Sequence, residues 1–362
     1  MSESATASAP AKTQPKAKKN RLSSGFFRFV LTRFLLIIPT VFILVTIVFF
    51  VMRATGDPIS AAMGGRLTPE ELQRRIHAAG YDRPLVVQYL DYLGGLLRGD
   101  LGTTLTDNQP VTTILTRYGA ATFELAFLSL IVALIVGIGL GRLAARRRDH
   151  AADVGIRVFA ILCYATPVFF LGLMLKLVFA VWLNVLPPSG RSSFASDMQF
   201  QRLVSPTGFY IIDAFQLGDM SVLVDVLRHA VLPALALGLL TAGVFIRLVR
   251  TNVISTYTSG YVEAARSRGV SEGRLLSKHA WRPAMIPIIT VMGMQIALML
   301  AGAVLTETTF EWKGLGFMLS QYLKQRDFVA VQGIVILIAI IVAVVNFIVD
   351  VISALIDPRV RY

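Results

Sequence analysis

The residues whose types and spacing could do chemistry are concentrated in one charged stretch, Tyr261–Pro283, between two long apolar runs. This stretch is predicted to form two short helices around Gly269, which can end the first in a left-handed conformation. Glu263 falls in the first turn, where a carboxylate matches the partial positive charge of a helix start. Ser271 is expected to cap the second helix, and Pro283 to interrupt the chain before the next apolar run. Such a stretch is suited to docking by ionic and hydrogen-bonded contacts.

The sequence offers no recognisable catalytic constellation. It contains no Gly-x-x-x-x-Gly-Lys-Ser/Thr phosphate loop, so the chain is not expected to hydrolyse ATP itself. The 4 histidines are scattered without metal-ligand spacing. The single cysteine, Cys163, lies inside an apolar run and is expected to be a small buried residue. Neither a metal site nor a disulfide within the chain is predicted.

The composition is that of an integral membrane protein. The chain has 362 residues, of which 55% are hydrophobic and 16% charged, against about 25% charged residues in soluble domains. Its mean hydropathy is +0.65. The apolar residues form runs of about 20, enough to cross the hydrocarbon core as helix. Because these runs do not alternate in polarity, as outer-membrane strands do, we predict an all-α membrane protein.

Six transmembrane helices are predicted, with a long segment after the first. Residues 1–24 are basic and poor in large apolar residues, so they are expected to be a disordered cytoplasmic tail. Residues 25–362 form the folded domain. Within it, 54–118 is an extracytoplasmic helical insertion and 250–283 a cytoplasmic loop. The predicted spans are 34–53, 119–141, 157–182, 229–249, 284–305 and 328–355.

The distribution of Lys and Arg sets the orientation, because basic residues accumulate in cytoplasmic loops. With the N-terminus inside, the inside segments hold most of the 35 Lys and Arg residues although they are shorter. The consecutive Arg146, Arg147 and Arg148 between the second and third spans are the clearest signal. Both termini and the 261–283 stretch are therefore predicted to be cytoplasmic. This sorting also explains the net charge of +13 without nucleic acid.

The insertion after the first span is predicted to contain two helices. Thr68 and Pro69 form a helix start, with Glu71 reaching back, and Gly80 ends that helix. A second helix carries apolar residues spaced along one face: Leu85, Val86, Tyr89, Leu90, Leu93 and Leu97. These helices are expected either to lie on the membrane surface or to cap the outer mouth of a cavity.

Few charges fall inside the predicted spans. Lys176 is expected to snorkel to the outer surface, or else to contact substrate or a partner. Glu124 lies at the outer start of its span and Asp350 near the inner side. Because none is at the bilayer centre, the pattern argues against an ion-coupled pump. The residues expected to shape packing or to line a path are Pro167, Pro233, Gln295 and Asn346.

At the charged stretch, Glu263-Ala264-Ala265, three further residues and Gly269 resemble the EAA loop of ABC importer permeases. The rest of the chain, about 27–362, resembles the dipeptide/oligopeptide permease family, B-type subunit. Arg282-Pro283 replaces the usual Leu-Pro of the loop, and Lys176 is unusual in its span. The residues that carry this resemblance are Gly99-Asp100-Leu101-Gly102, His229 to Pro233 with Ala234 to Gly238, Gln295, Gly302-Ala303-Val304, Glu307, Gly314-Leu315-Gly316, Asn346, Asp350 and Asp357-Pro358-Arg359.

The resemblance implies a type I ABC importer permease in the bacterial inner membrane, coupled to its ATPase through Glu263, Ala264, Ala265 and Gly269. Its partners would be a second permease, two ATPase subunits that bind ATP and Mg²⁺, and an extracytoplasmic substrate-binding protein. No cofactor is expected in this chain, which would not itself be an enzyme. The expected cargo is di- and oligopeptide, with nickel as the alternative. The other hypotheses are an ion-coupled secondary transporter and a membrane anchor or receptor.

Overall fold

The computed structural model describes residues 21–65 and 67–356, which are almost entirely helical. The predicted tail at 1–20 and the Asp357-Pro358-Arg359 ending lie outside these residues. The helices are α1 (Arg21–Ala54), α2 (Pro58–Met63), α3 (Pro69–Ala78), α4 (Leu85–Leu97), α5 (Val111–Arg146), α6 (Ala151–Ala165), α7 (Val168–Trp182, with a π-helical end), α8 (Phe194–Phe200), α9 (Tyr210–Leu217), α10 (Met220–Tyr257), α11 (Gly260–Ser267), α12 (Glu272–Arg274), α13 (Trp281–Phe310, joined to α12 by a π-helical turn), α14 (Leu315–Lys324) and α15 (Phe328–Ile356).

The elements long and apolar enough to cross a membrane coincide with the predicted spans. Within the described chain, four single helices qualify: α1, α5, α10 and α15. Two bent pairs bring the number to 6 if each pair is one span: α6 with α7, and Glu272–Met285 with Pro287–Leu300, which meet inside α13. α1 begins at Arg21, so the last residues of the predicted tail are helical. The all-helical membrane architecture is thereby confirmed.

The helix in the predicted span 157–182 is broken in two. α6 and α7 meet at an angle of 109° across a break at Thr166 and Pro167. Pro167 has no amide hydrogen to donate, and its ring disfavours helical geometry at the preceding residue. Thr166 accordingly has the extended dihedrals φ −80° and ψ 128°.

The core of the bundle is the contact between α5 and α10. A side-chain carbon at Gly141 would lie 2.7 Å from the Val249 Cβ, and one at Gly238 would lie 2.7 Å from the Ser129 carbonyl oxygen. Both glycines therefore allow an approach of the two helices that an added side chain would block. Phe245 and Ile246 are fully buried on α10.

The first and last described helices, α1 and α15, pack together on one side of the bundle. Near the start of α1, Arg33 forms an ion pair of 3.2 Å with Asp350 of α15. The rings of Phe34 and Phe347 also pack edge to face, 5.8 Å apart. This pairing agrees with the prediction that both termini share a side, while the assignment of that side to the cytoplasm stays a prediction.

Candidate functional site

The charged stretch folds as a compact loop beneath α10 and α13. Its first helix, α11, is held by Val262, which is completely buried. The π-helical turn, Leu275–Ala280, packs against α10 and α11, with Leu275 and Ala280 as its buried residues. Apolar side chains thus fasten one face of the loop to the bundle, and the other face is left exposed.

Gly269 ends α11 as predicted. Its φ is 79°, a left-handed value that glycine adopts without a steric penalty. The Gly269 amide donates to the Arg266 carbonyl at 2.9 Å, and the Val270 amide donates to the Ala265 carbonyl at 3.3 Å. These two bonds form a Schellman motif, which satisfies carbonyls at the end of the helix.

A polar clamp, Tyr257–Arg266–Glu272, connects the two helices of the loop with the end of α10. The Arg266 Nε donates to the Glu272 carboxylate at 2.8 Å, and the Tyr257 hydroxyl donates to the same carboxylate. The Arg266 guanidinium also lies over the Tyr257 ring, 5.0 Å from its centre. The hydrogen bond to Glu272 raises the pKa of Arg266 above its ordinary value. The spacing of these three residues in the sequence did not predict the clamp.

Two expectations for the second half of the loop need correction. Ser271 occupies the N-cap position of α12, but its side chain makes no capping hydrogen bond. Pro283 does not interrupt the chain, because helix continues through it from the π-helical turn into α13. A proline leaves the carbonyl four residues earlier without its helical donor. That carbonyl belongs to His279, and it accepts a hydrogen bond of 3.3 Å from the Tyr261 hydroxyl of α11.

The four predicted coupling residues lie on and directly after α11. Glu263, Ala264 and Gly269 are exposed, and Ala265 is half-buried. Among residues 21–65 and 67–356, the Glu263 carboxylate has no hydrogen-bond or ion-pair partner. The site therefore presents an unpaired negative charge beside two minimal side chains on a helix that is fixed from behind. This arrangement can dock a protein surface, and it carries no catalytic group.

Comparison with known proteins gives the family. The sequence profile described as "Binding-protein-dependent transport system inner membrane component" matches residues 137–362, and the profile of its N-terminal counterpart matches 26–125. The chain belongs to this family. It is therefore a permease subunit in a bacterial inner membrane, separate from the ATPase subunits of such importers.

Several relatives match the permease over almost its whole length. The di/tripeptide transport system permease protein DppB of Pseudomonas aeruginosa is 37% identical, over 92% of this chain and 98% of its own. The dipeptide transport system permease protein DppB of Escherichia coli K12 is 38% identical, over 92% and 99%. The Haemophilus influenzae protein of the same name is 37% identical, over 93% and 100%. The family resemblance seen in the motifs is thus confirmed.

A solved structure confirms the fold. A chain of the inward-facing MetNI methionine ABC transporter superimposes with a TM-score of 0.50, at 14% identity, over 68% of this chain and 97% of its own. At that identity the likeness concerns architecture. The permease therefore has the type I ABC importer permease fold.

The charged residues in and near the spans are used to hold helices together. Lys176 donates from Nζ to the Thr309 carbonyl at 2.9 Å, which joins α7 to the end of α13. Glu124 forms a buried ion pair of 2.6 Å with Arg191, a partner that sequence reasoning did not find. Glu307, also buried, accepts a hydrogen bond of 2.7 Å from the Thr122 hydroxyl. These groups are satisfied within the permease.

A further buried ion pair lies on the side of the bundle that carries the coupling loop. Asp153, at the start of α6, accepts hydrogen bonds of 2.6 and 2.8 Å from the Nε and Nη2 of Arg250 on α10. Asp153 is fully buried. A bidentate pair of this kind fixes both distance and orientation. It ties α6 to α10 about two turns before α10 leads into the loop.

Proposed function

We propose that this permease forms half of the membrane pathway of an ATP-driven importer of dipeptides and short peptides. The observation that supports this most strongly is the full-length similarity, at 37% and 38% identity, to permeases named for di- and tripeptide transport. These names favour peptide over nickel as the cargo. The family supports a general set of partners: a second permease, ATPase subunits and an extracytoplasmic binding protein.

In this proposal the chemistry belongs to two separate ATPase subunits, which bind ATP and Mg²⁺. The permease alternates between two arrangements of its helices. ATP binding can favour one of them only through contacts that differ between the two. The exposed face of α11 is the place on this chain where such a contact is proposed.

Each of the four coupling residues has a separate role in the proposed contact. Glu263, unpaired within the described chain, forms an ion pair with a basic residue of the ATPase. Ala264 and Ala265 allow the helix to approach the partner surface closely, because their side chains end at Cβ. Gly269 sets the direction in which the chain leaves α11, through its φ of 79°.

The loop's internal contacts provide a route from the docked helix to the spans. Movement of α11 is carried to α10 by the hydrogen bonds that Tyr257 and Arg266 make to Glu272, and by the π-helical turn, which packs against both helices. It is carried to α13 by the Tyr261 hydrogen bond to His279. In this proposal the loop, α10 and α13 move together, so that a displacement of α11 by the ATPase reaches the membrane spans.

The test is uptake into vesicles that contain the permease with its co-purifying partners and its binding protein. Labelled dipeptide, a longer peptide and nickel are offered outside, with ATP or without it on the ATPase side. The expected result is ATP-dependent accumulation of dipeptide. Dipeptide uptake that follows an ion gradient without ATP would refute the coupling, and ATP-dependent uptake of nickel in place of peptide would refute the cargo.

A further inference from the structure

The outer helix α4 presents its aliphatic side outward. Val86, Leu90, Leu93 and Leu97 follow one another at helical spacing and form a single stripe, which we call the α4 stripe. In it, Val86 is 67% exposed, Leu90 60% and Leu97 90%, and Leu93 is half-buried. A helix on a water-soluble surface would bury such a stripe. Here the stripe is exposed at Val86, Leu90 and Leu97, from the first turn of the helix to its last residue.

The opposite side of α4 packs against α1 through polar and aromatic groups. Gln88 is buried and accepts a hydrogen bond of 2.9 Å from the Arg53 Nε. The rings of Tyr89 and Tyr92 lie 5.2 and 5.3 Å from the ring of Phe49. The direction in which α4 faces is therefore fixed by specific contacts, and the stripe is held away from the protein.

These contacts place α4 beside the apolar part of α1, before the charged Arg53 near the end of that helix. The Tyr89 hydroxyl is hydrogen-bonded to the Thr46 hydroxyl at 2.6 Å. Thr46 precedes Arg53 by seven residues, which corresponds to about 10 Å along a helix. The middle of α4 thus lies at the level of the apolar part of α1. Phe50 of α1 is 46% exposed and contacts the Tyr89 ring at 5.4 Å, so the exposed apolar surfaces of the two helices are continuous.

We propose that α4 is embedded in the membrane leaflet at the Ala54 end of α1, with the α4 stripe against the lipid acyl chains. This is the outer leaflet in the predicted orientation. The charged Asp91 lies on a different side of α4 from the stripe and pairs with Arg83 at 3.4 Å. Arg98, exposed at the end of the helix, extends to the headgroups as basic residues do at this depth.

The proposed location corresponds to the first of the two expectations for the insertion, since it puts α4 on the membrane rather than over a cavity. It also gives the outer helices a mechanical role. α4 anchors the Tyr81–Gly102 region to the bilayer, and the Gln88 amide in turn donates to the carbonyls of Tyr81 and Arg83 at 2.9 and 2.8 Å. The inference depends on membrane insertion of the permease and not on its cargo or its ATP coupling.

The test uses spin labels on the intact transporter in nanodiscs. Single cysteines replace Val86, Leu90 or Leu97 in a Cys163→Ser background, and each is labelled with a nitroxide. Asp91→Cys, on the same helix but off the stripe, is the matched control. Power saturation then compares access of lipid-soluble oxygen with access of a water-soluble nickel chelate.

The expected ratio of oxygen to chelate access is severalfold higher at the three stripe positions than at Asp91→Cys. High chelate access at the stripe would show a water-facing helix and overturn the proposal. Low access of both reagents at the stripe would show that a second permease or the binding protein covers it, which would also overturn the proposal.

Discussion

Replacement of Gly269 by valine is the most informative change in the coupling loop. A side chain at this position would enter open space, because its first carbon would meet no atom within 4 Å. Within the permease itself the substitution therefore acts through the backbone, whose φ of 79° valine strongly disfavours. The Schellman bonds of Gly269 and Val270 would be strained or lost, and the exit direction of the chain from α11 would change.

The cost follows from the backbone geometry. A residue with a side chain pays roughly 1–2 kcal/mol for the left-handed conformation, and a β-branched residue lies at the upper end. Since 1.4 kcal/mol corresponds to a tenfold change in an equilibrium constant, the equilibrium constant for the observed loop shape falls by roughly five- to thirtyfold. ATP-driven dipeptide uptake by reconstituted vesicles should fall by a similar factor in Gly269→Val. The permease should still insert, because no packing contact is removed.

Gly269→Asn is the matched control, since asparagine enters the left-handed region far more easily than valine does. We expect it to retain most of the uptake although its side chain is as large as that of valine. Equal loss of uptake in both variants would refute the backbone argument and indicate that bulk matters. Normal uptake in Gly269→Val would refute the role of this turn in coupling.

Three further changes test other contacts. Glu263→Lys should reduce ATPase co-purification much more than Glu263→Gln, because it places a positive charge opposite a basic partner; equal yields would exclude that ion pair. Glu272→Gln should weaken the bonds from Arg266 and Tyr257 and speed deuterium exchange across α11, with little change in Tm because the pair is exposed. Unchanged exchange would show that the clamp does not order the loop. Asp153→Asn should destabilise the folded permease by about 3 kcal/mol, since it leaves the Arg250 charge without its partner. The added change Arg250→Gln should recover part of that loss in thermal unfolding, and purely additive effects would argue against the pair.

Local features of the loop were predictable from the sequence because local residues determine them. A short spacing pattern is enough to predict a turn at Gly269 between two helices. The predicted helix start is enough to put Glu263 in the first turn. The partners of the loop residues were not predictable. Glu272 reaches Arg266 across a turn whose geometry is not encoded in periodicity, and the Tyr261 bond to His279 depends on a π-helical turn.

Long-range residue pairs and helix directions could also not be predicted from the sequence. Glu124 and Arg191 are 67 positions apart, so no local pattern joins them. Pro167 was recognised as a helix-bending residue, but a proline in a membrane helix is compatible with a slight kink as well as with the observed 109°. The apolar face of α4 was found from its spacing. Which side faces the protein was not, because protein cores and lipid both accept aliphatic side chains.

The central claim is that energy from a separate ATPase enters this permease through α11, and photo-crosslinking from Ala264 tests it most directly. Ala264→Cys, labelled with a thiol-directed benzophenone, is selective because the native Cys163 is buried. Arg74→Cys, exposed on α3 in the segment after α1, is the control. We predict a crosslink from Ala264→Cys to the ATPase subunit, with loss of ATP-driven uptake, and none from Arg74→Cys. No crosslink from Ala264→Cys in an assembled, active transporter would contradict the account.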